Sequence, residues 1–289
     1  MAKSAPAIGP ILVGYDASDD GVRALEYAAT LAAATKATLR LVYVADDTVL
    51  NSAWAVVFDG SDLRATARRL LAEAVVTARS LGVAKKRVLT KVAFGSPVGV
   101  LTQLSQDCSM VVVGRRAHIG HARDFPGSTS VGLAGSVHCP LVVVSATAET
   151  DAEGPVGVAV EAGGAGVAGL EWVLDNPLFA GQPIRVLSVC KAPQGRLFHP
   201  HLSQEQIDAA VAETTKAQQA LIAGVRARHP EAQITAEVAY GSPVDELAAF
   251  SERISVLVLE AIVRFPTSSV GTVAQGLLSY AHCPVVLVK

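Results

Sequence analysis

Aromatic residues are scarce in this 289-residue chain, at 5%, and charged residues reach only 17%. The 51% that is hydrophobic is mostly Ala, Val and Leu, which suits helices packed closely on a buried sheet. Positive charge is not in excess. Lys and Arg number 24 against 26 Asp and Glu, and the formal net charge of −2 argues against non-specific nucleic-acid binding, which needs a cationic surface. No apolar run reaches the roughly 18–20 residues of a membrane span, and residues 1–10 lack the apolar stretch of a secretory signal. The four cysteines, Cys108, Cys139, Cys190 and Cys283, form no C-x-x-C pair, so neither a zinc ribbon nor a thioredoxin-like motif is indicated. They read as reduced, mostly buried thiols of a cytoplasmic protein.

What the chain does have is a repeat. V-A-F-G-S-P-V at residues 92–98 returns as V-A-Y-G-S-P-V at 238–244, an offset of 146. His138-Cys139-Pro140 returns as His282-Cys283-Pro284, an offset of 144, and Gly9-Pro10 as Gly154-Pro155, an offset of 145. Offsets near half the length mean two copies of one domain. They are expected at 1–146 and 155–289, with a linker at 147–154 whose core is the acidic stretch A-E-T-D-A-E.

Each copy alternates short Val/Leu/Ile runs with longer helical patterns. In the first, strands are expected at 11–15, 38–44, 88–94, 110–113 and 141–145, and helices at 19–35, 61–81, 97–106 and 128–136. Val22, Leu25, Ala28, Ala29 and Ala32 share one face of the first helix. Pro97 opens the third helix behind Ser96 as N-cap. The second copy repeats this order, its longest helix lying near 203–228. The alternation predicts parallel pairing with right-handed crossovers, hence an α/β chain of two tandem doubly wound domains. Each is a five-stranded parallel sheet with helices on both faces, Rossmann-like in type. Ligands in such sheets bind beyond the carboxyl ends of the strands where their order reverses. The loops after the first and fourth strands, 16–20 and 114–127, are therefore the ones to search, with 161–165 and 259–271 as their counterparts.

The fourth-strand loop reads G-R-R-A-H-I-G-H-A-R-D-F-P-G-S-T-S from Gly114 to Ser130. Glycines let a ligand approach the backbone, and a helix beginning near Ser128 aims free N–H groups at an anion. Ser128 and Ser130 add hydroxyls, and Arg115, Arg116 and Arg123 add charge. The same composition also describes an ordinary tight connection with Ser128 as helix cap, and the residues alone leave both readings open.

With its two apolar-strand-plus-acid openings, G-S-P turns and H-C-P strand entrances, the chain resembles a tandem universal stress protein over nearly its whole length. The fold implied is that of the adenine nucleotide alpha hydrolase-like group. The ATP-binding branch of that family follows G-x2-G-x9-G-[S/T], and Gly114, Ala117 and Gly127-Ser128 match the spacing, with alanine at the second glycine. Were Ala117 to need a left-handed backbone, its Cβ would cost about 1–2 kcal/mol. By the resemblance, Gly14 and Asp16 lie on the ribose and adenine side. Gly114, Arg116 and Ala117 border the phosphates, and Gly127, Ser128 and Ser130 hold the triphosphate. ATP is then the expected ligand, with Mg accompanying it.

With offsets of 145 and 144, the second copy has Glu161 for Asp16, Gly163 for Ser18, Val258 for Gly114, Glu260 for Arg116, Ala261 for Ala117 and Ala274 for Ser130. That predicts a degenerate second site. His118-x2-His121 and His199-x-His201 lack the convergent ligands of a metal site and read as surface loop residues. Ser96 and Ser242 lie in G-S-P, not in a hydrolase elbow. His138 and His282 read as structural.

Three functions follow: a non-catalytic adenine-nucleotide-binding stress-response module, a nucleotide-free scaffold acting through protein contacts, and a nucleotide hydrolase. The last would need Asp124 or His121 in a catalytic role that no motif supports, and the loops offer no Walker-type Lys-[S/T] step. The last strand of each copy is expected at a sheet edge that needs covering. By the resemblance such edges meet in dimers, so the two halves would pair as an internal pseudo-dimer, with a homodimer a further level of association. Neither nucleic acid nor membrane is an expected partner.

Overall fold

The computed structural model describes residues 9–45, 60–116, 127–148, 154–191, 203–261, 263–264 and 269–289. The chain divides into two compact units, Met1–Ala148 with Val263–Val270, and Glu149–Ile262 with Gly271–Lys289. Among the described residues no helix is long and apolar enough to cross a membrane.

The first unit runs β1 (Ile11–Gly14), α1 (Asp19–Thr35), β2 (Leu39–Ala45), α2 (Gly60–Ser80), β3 (Val88–Phe94), α3 (Pro97–Leu104), β4 (Met110–Gly114), α4 (Ser128–Ser136) and β5 (Leu141–Val144). Its strand order is β3-β2-β1-β4-β5, all neighbours parallel. The order reverses between β1 and β4, where Gly14 pairs with Val113. The second unit runs β6 (Val156–Ala159), α5 (Val167–Asp175), β7 (Ile184–Lys191), α6 (Gln204–Arg228), β8 (Ile234–Gly241), α7 (Pro243–Ser251), β9 (Val256–Glu260), α8 (Thr272–Tyr280) and β12 (Val285–Val288). The order β8-β7-β6-β9-β12 repeats the first, again parallel. Between β9 and α8, β10 (Val263–Arg264) and β11 (Ser269–Val270) form an antiparallel pair in a stretch the sequence presents as loop.

Burial differs from strand to strand. Every residue of β5 and of β12 is buried, as are the first four of β4, whereas β3 is half-buried to exposed throughout. Covered strands bury Val and Leu on both faces, which is why they appear in the sequence as unbroken apolar runs.

Helix starts are set by local chemistry. Ser18 caps α1 by accepting the Gly21 N–H, and Asp19 and Asp20 place negative charge in its first turn. Ser203 and Gln206 form a reciprocal capping box on α6. Ser96 stands at the N-cap position of α3 as expected, but its side chain caps nothing; Pro97 alone sets the start. The final turn expected of α3 tightens into a 3-10 turn at Ser105–Asp107. There Ser105 Oγ accepts the His138 N–H at 3.0 Å, and Ser251 Oγ accepts the His282 N–H at 2.9 Å in the second unit. The H-C-P phrase is thus held by its backbone against a buried serine. Of the four cysteines, which are all free thiols, only Cys283 is buried; Cys108, Cys139 and Cys190 are half-buried.

The duplicated cores are filled differently. Leu12 in β1 corresponds to Gly157 in β6, where an added Cβ would collide with Ile254 Cδ1 and lie 2.8 Å from Phe250 Cε1. The first unit has Cys108 and Leu104 at the positions of Ile254 and Phe250. Volume has moved from strand to helix side, as dense packing requires. Gly157→Leu should therefore destabilise the chain by about 1–3 kcal/mol. Adding Phe250→Leu and Ile254→Cys should recover most of that loss in urea unfolding. A fully stable single variant would refute this exchange.

Candidate functional site

The junction at the β1/β4 reversal is built from three short stretches. After β1, Asp16 is exposed, and its Oδ1 accepts both the Ser18 N–H at 3.0 Å and the Ser18 hydroxyl at 2.6 Å. Between them Ala17 takes φ 60°, a left-handed conformation that costs an L-residue about 1–2 kcal/mol. After β4, Arg115 is buried and donates its N–H to Val144 O at 2.7 Å; its own carbonyl accepts the Gly127 N–H at 2.8 Å. Ser18 Oγ lies 3.2 Å from Arg116 O. These bonds join the β1 loop, the end of β4 and the start of α4.

Asp20 is central to this junction, and the sequence marks it only as half of an acidic pair at a helix start. It is 8% exposed. One carboxylate oxygen accepts the Arg116 N–H at 2.8 Å, and the other accepts the Ala146 N–H, beyond β5, at 2.6 Å. The first turn of α1 thus holds the ends of two strands through charge-assisted bonds. The adjacent Asp19-Asp20 pair at a helix start beside the reversal is the available signal, and dipole compensation alone would account for it.

The expected site residues fall into distinct environments. Gly114 abuts the first turn of α1: a Cβ there would lie 2.7 Å from Asp20 C and 2.8 Å from Gly21 N. Glycine is required for this close approach with or without a ligand. The Cβ direction of Gly14 faces Leu101 and Val113. Arg116 is half-buried and Ser128 exposed. The N-cap of α4 is Gly127, not Ser128, with no side-chain cap and no acid in the first turn. Ser130 is buried, its single hydroxyl proton shared between Gly127 O at 2.9 Å and Arg115 O at 3.1 Å. Ala117, His118, His121, Arg123 and Asp124 lie outside the described residues, as do His199 and His201. Among the described residues no group of three His, Cys, Asp or Glu is placed to hold a metal ion.

Strand register corrects the comparison of the copies. Gly114 pairs with Val144 and Glu260 with Val288, while the H-C-P strands that carry Val144 and Val288 are offset by 144. The counterpart of Gly114 is therefore Glu260, not Val258, and Arg115, not Ala117, corresponds to Ala261. The fourth strand keeps the offset of 146, and the second copy is two residues shorter only beyond it, in the loop before α8. Loop shortening shifts sequence spacing without moving the ladder. Glu260 Oε2 accepts the Gly166 N–H, at the N-cap of α5, at 2.7 Å. In the first unit a helix carboxylate grips the end of the strand; in the second a strand-end carboxylate grips the helix. Glu161, at the place of Asp16, is paired with Lys191 at 2.9 Å.

Asp20→Asn retains one acceptor and should cost about 1–3 kcal/mol in chemical unfolding, because one buried N–H loses its partner; parental stability would contradict the clamp. Burial pushes the Tyr15 phenol above its ordinary range, and the Glu73 and Asp16 carboxylates add to the rise. The stability supplied by this protonation is fully present below about pH 10, where free tyrosine ionises, and is lost as pH rises through the folded value. Alkaline unfolding should be steeper for the parent than for Tyr15→Phe, and equal slopes would contradict this.

The model of the universal stress protein family matches residues 8–145 and again 154–289. Universal stress protein Rv3134c of Mycobacterium tuberculosis is 30% identical over 247 residues, 83% of each chain. Universal stress protein Mb2028c of Mycobacterium bovis is 24% identical over 298 residues, 96% of each. A crystal structure of a universal stress protein from Archaeoglobus fulgidus superposes with a TM-score of 0.67 at 14% identity, covering 97% of this chain and 98% of that one; at this identity the likeness is one of fold. Two matched domains, the parallel α/β architecture of each unit and relatives aligned along most of their length lead to one conclusion: the chain belongs to the universal stress protein family and carries its domain twice.

Proposed function

We propose that the first unit binds an adenine nucleotide in the β1/β4 crevice, as a non-catalytic stress-response module. The observation that carries this reading is the start of α4. Gly127 caps it without a side chain, no acid stands in its first turn, and Ser128 presents an exposed hydroxyl. Uncompensated N–H groups and the helix dipole favour a phosphate there, and the hydrogen bonds of Arg115 tie this helix start to the end of β4. Asp16 then lies on the ribose and adenine side. Gly14 supports that loop, Gly114, Arg116 and Ala117 border the phosphate path, and Mg accompanies ATP. Cytoplasmic residence and dimeric association belong to the same proposal.

A second reading, a nucleotide-free scaffold, draws on a specific observation. Asp20 already occupies the N–H groups of Arg116 and Ala146, and the Ser130 hydroxyl is committed to backbone carbonyls. Both reduce the donors left for phosphate and set a carboxylate close to its path.

Calorimetric titration with ATP distinguishes the two. The expected result is one equivalent bound per chain, with affinity at least about tenfold weaker for Asp16→Ala, a loss of about 1.4 kcal/mol. Absence of binding at millimolar ATP, together with no nucleotide released from freshly purified protein on mass analysis, would establish the scaffold reading instead.

A further inference from the structure

The outer edge of the first unit's sheet carries features that the nucleotide reading does not use. β3 ends the strand order, and among the described residues no strand pairs with its outer side. Beside it, Arg64, Arg68, Leu71 and Val75 of α2 and Thr90 and Val92 of β3 line an open groove of about 500 Å³. Its floor is apolar and its rim cationic, with the Arg64 guanidinium 4.3 Å above the Phe94 ring.

The surroundings continue this character. Lys85, Lys86 and Arg87 lead directly into β3, and Lys91 stands exposed within it. Neither these four nor Arg64 and Arg68 make an ion pair with any described acid, although Arg69 beside them is paired with Glu73. Val76, Leu81 and Leu89, three of the four large hydrophobic side chains exposed among the described residues, also lie on α2, just after it, and on β3. An unpaired, partly apolar strand edge is a template for pairing unless it is blocked.

The second unit shows that this character is not part of the shared framework. In its matching register Glu237 stands for Lys91 and Glu231 for Lys85. Glu237 is bound to Arg185 at 2.5 Å, and the buried Gln218 of α6 donates to its carbonyl at 2.9 Å. Among the described residues, the outer strand of the second unit does not repeat the cationic run of β3.

We propose that this α2–β3 edge docks an extended acidic segment of a partner protein, which adds a strand beyond β3. Alternate side chains of an added strand face opposite ways. One set meets Leu71, Val75 and Val92 beneath Arg64 and Arg68, and the other meets Leu89 and Lys91. Charge complementarity selects carboxylates, and the open strand edge with its apolar floor selects an extended polypeptide over a nucleic acid.

The test uses the whole protein without nucleotide and a labelled peptide of alternating Glu and Val, followed by fluorescence anisotropy. Saturable binding is expected. The Arg64→Glu/Arg68→Glu variant should weaken it about tenfold or more, as should backbone N-methylation of the peptide, which removes strand N–H donors. Both arginines are exposed, so the variant should retain the parental circular dichroism and unfolding curve. Several outcomes overturn the proposal: no saturation at millimolar peptide, equal binding by the double variant, or equal binding of a Lys-Val peptide. Tighter binding of a single-stranded oligonucleotide would assign the edge to nucleic acid instead. Self-assembly of the chain through this edge, with no peptide binding, would assign it to a second copy.

Discussion

In the first unit, the end of β4, the end of β5 and the start of α1 meet at a single buried carboxylate. Asp20 accepts one backbone N–H from each strand end while remaining part of the helix. The close approach this needs is possible only because Gly114 has no Cβ to strike the α1 backbone. Everything on the carboxyl side of the sheet hangs from that junction: the strained Ala17 turn, the carbonyl of Arg115 that receives the start of α4, and the exposed position of Asp16. A buried carboxylate with two charge-assisted bonds is expensive to disturb.

The second unit also joins strand end to helix start through a carboxylate, but supplies it from the strand. Glu260 takes the strand position of Gly114 and reaches across to the Gly166 N–H of α5. A carboxylate between strand end and helix start is thus shared by the two units, but its donor element is not. The same holds in the cores, where Leu12 is matched by Gly157 and the missing volume returns as Phe250 and Ile254. The domain has been kept by preserving contacts, while the residues that make them have changed sides.

The units differ most at their outer strands. β3 and β8 sit in the same register and end their strand orders, yet one carries unpaired lysines and arginines and the other a glutamate held by Arg185. Changes in the covered cores must compensate one another in volume, whereas an edge is free to specialise. The first unit therefore combines two distinctive surfaces, a crevice at the β1/β4 reversal and a cationic edge at β3.

The apolar periodicity of the chain determined its secondary structure closely. α1, β3 and α4 begin and end where the pattern places them, and other elements of the first copy shift by one or two residues, because apolar periodicity is a local pattern. The duplication and the family were equally legible, in phrases such as G-S-P and H-C-P that mark turns and strand entrances. The candidate site was legible only as a neighbourhood. Asp16 follows β1 and Gly127 precedes α4, but Ser130 is turned inward, and the Asp19-Asp20 pair does not by itself reveal the clamp. Counting offsets matched Gly114 to Val258, whereas the hydrogen-bond ladder matches it to Glu260, since a shortened loop alters spacing without altering register. Sequence by itself determined which segments form strands and helices and that they occur twice, because those depend on local pattern. Which carboxylate grips which backbone N–H, which glycine must be bare and which edge is left charged were decided only by tertiary structure, because each depends on groups brought together from distant parts of the chain.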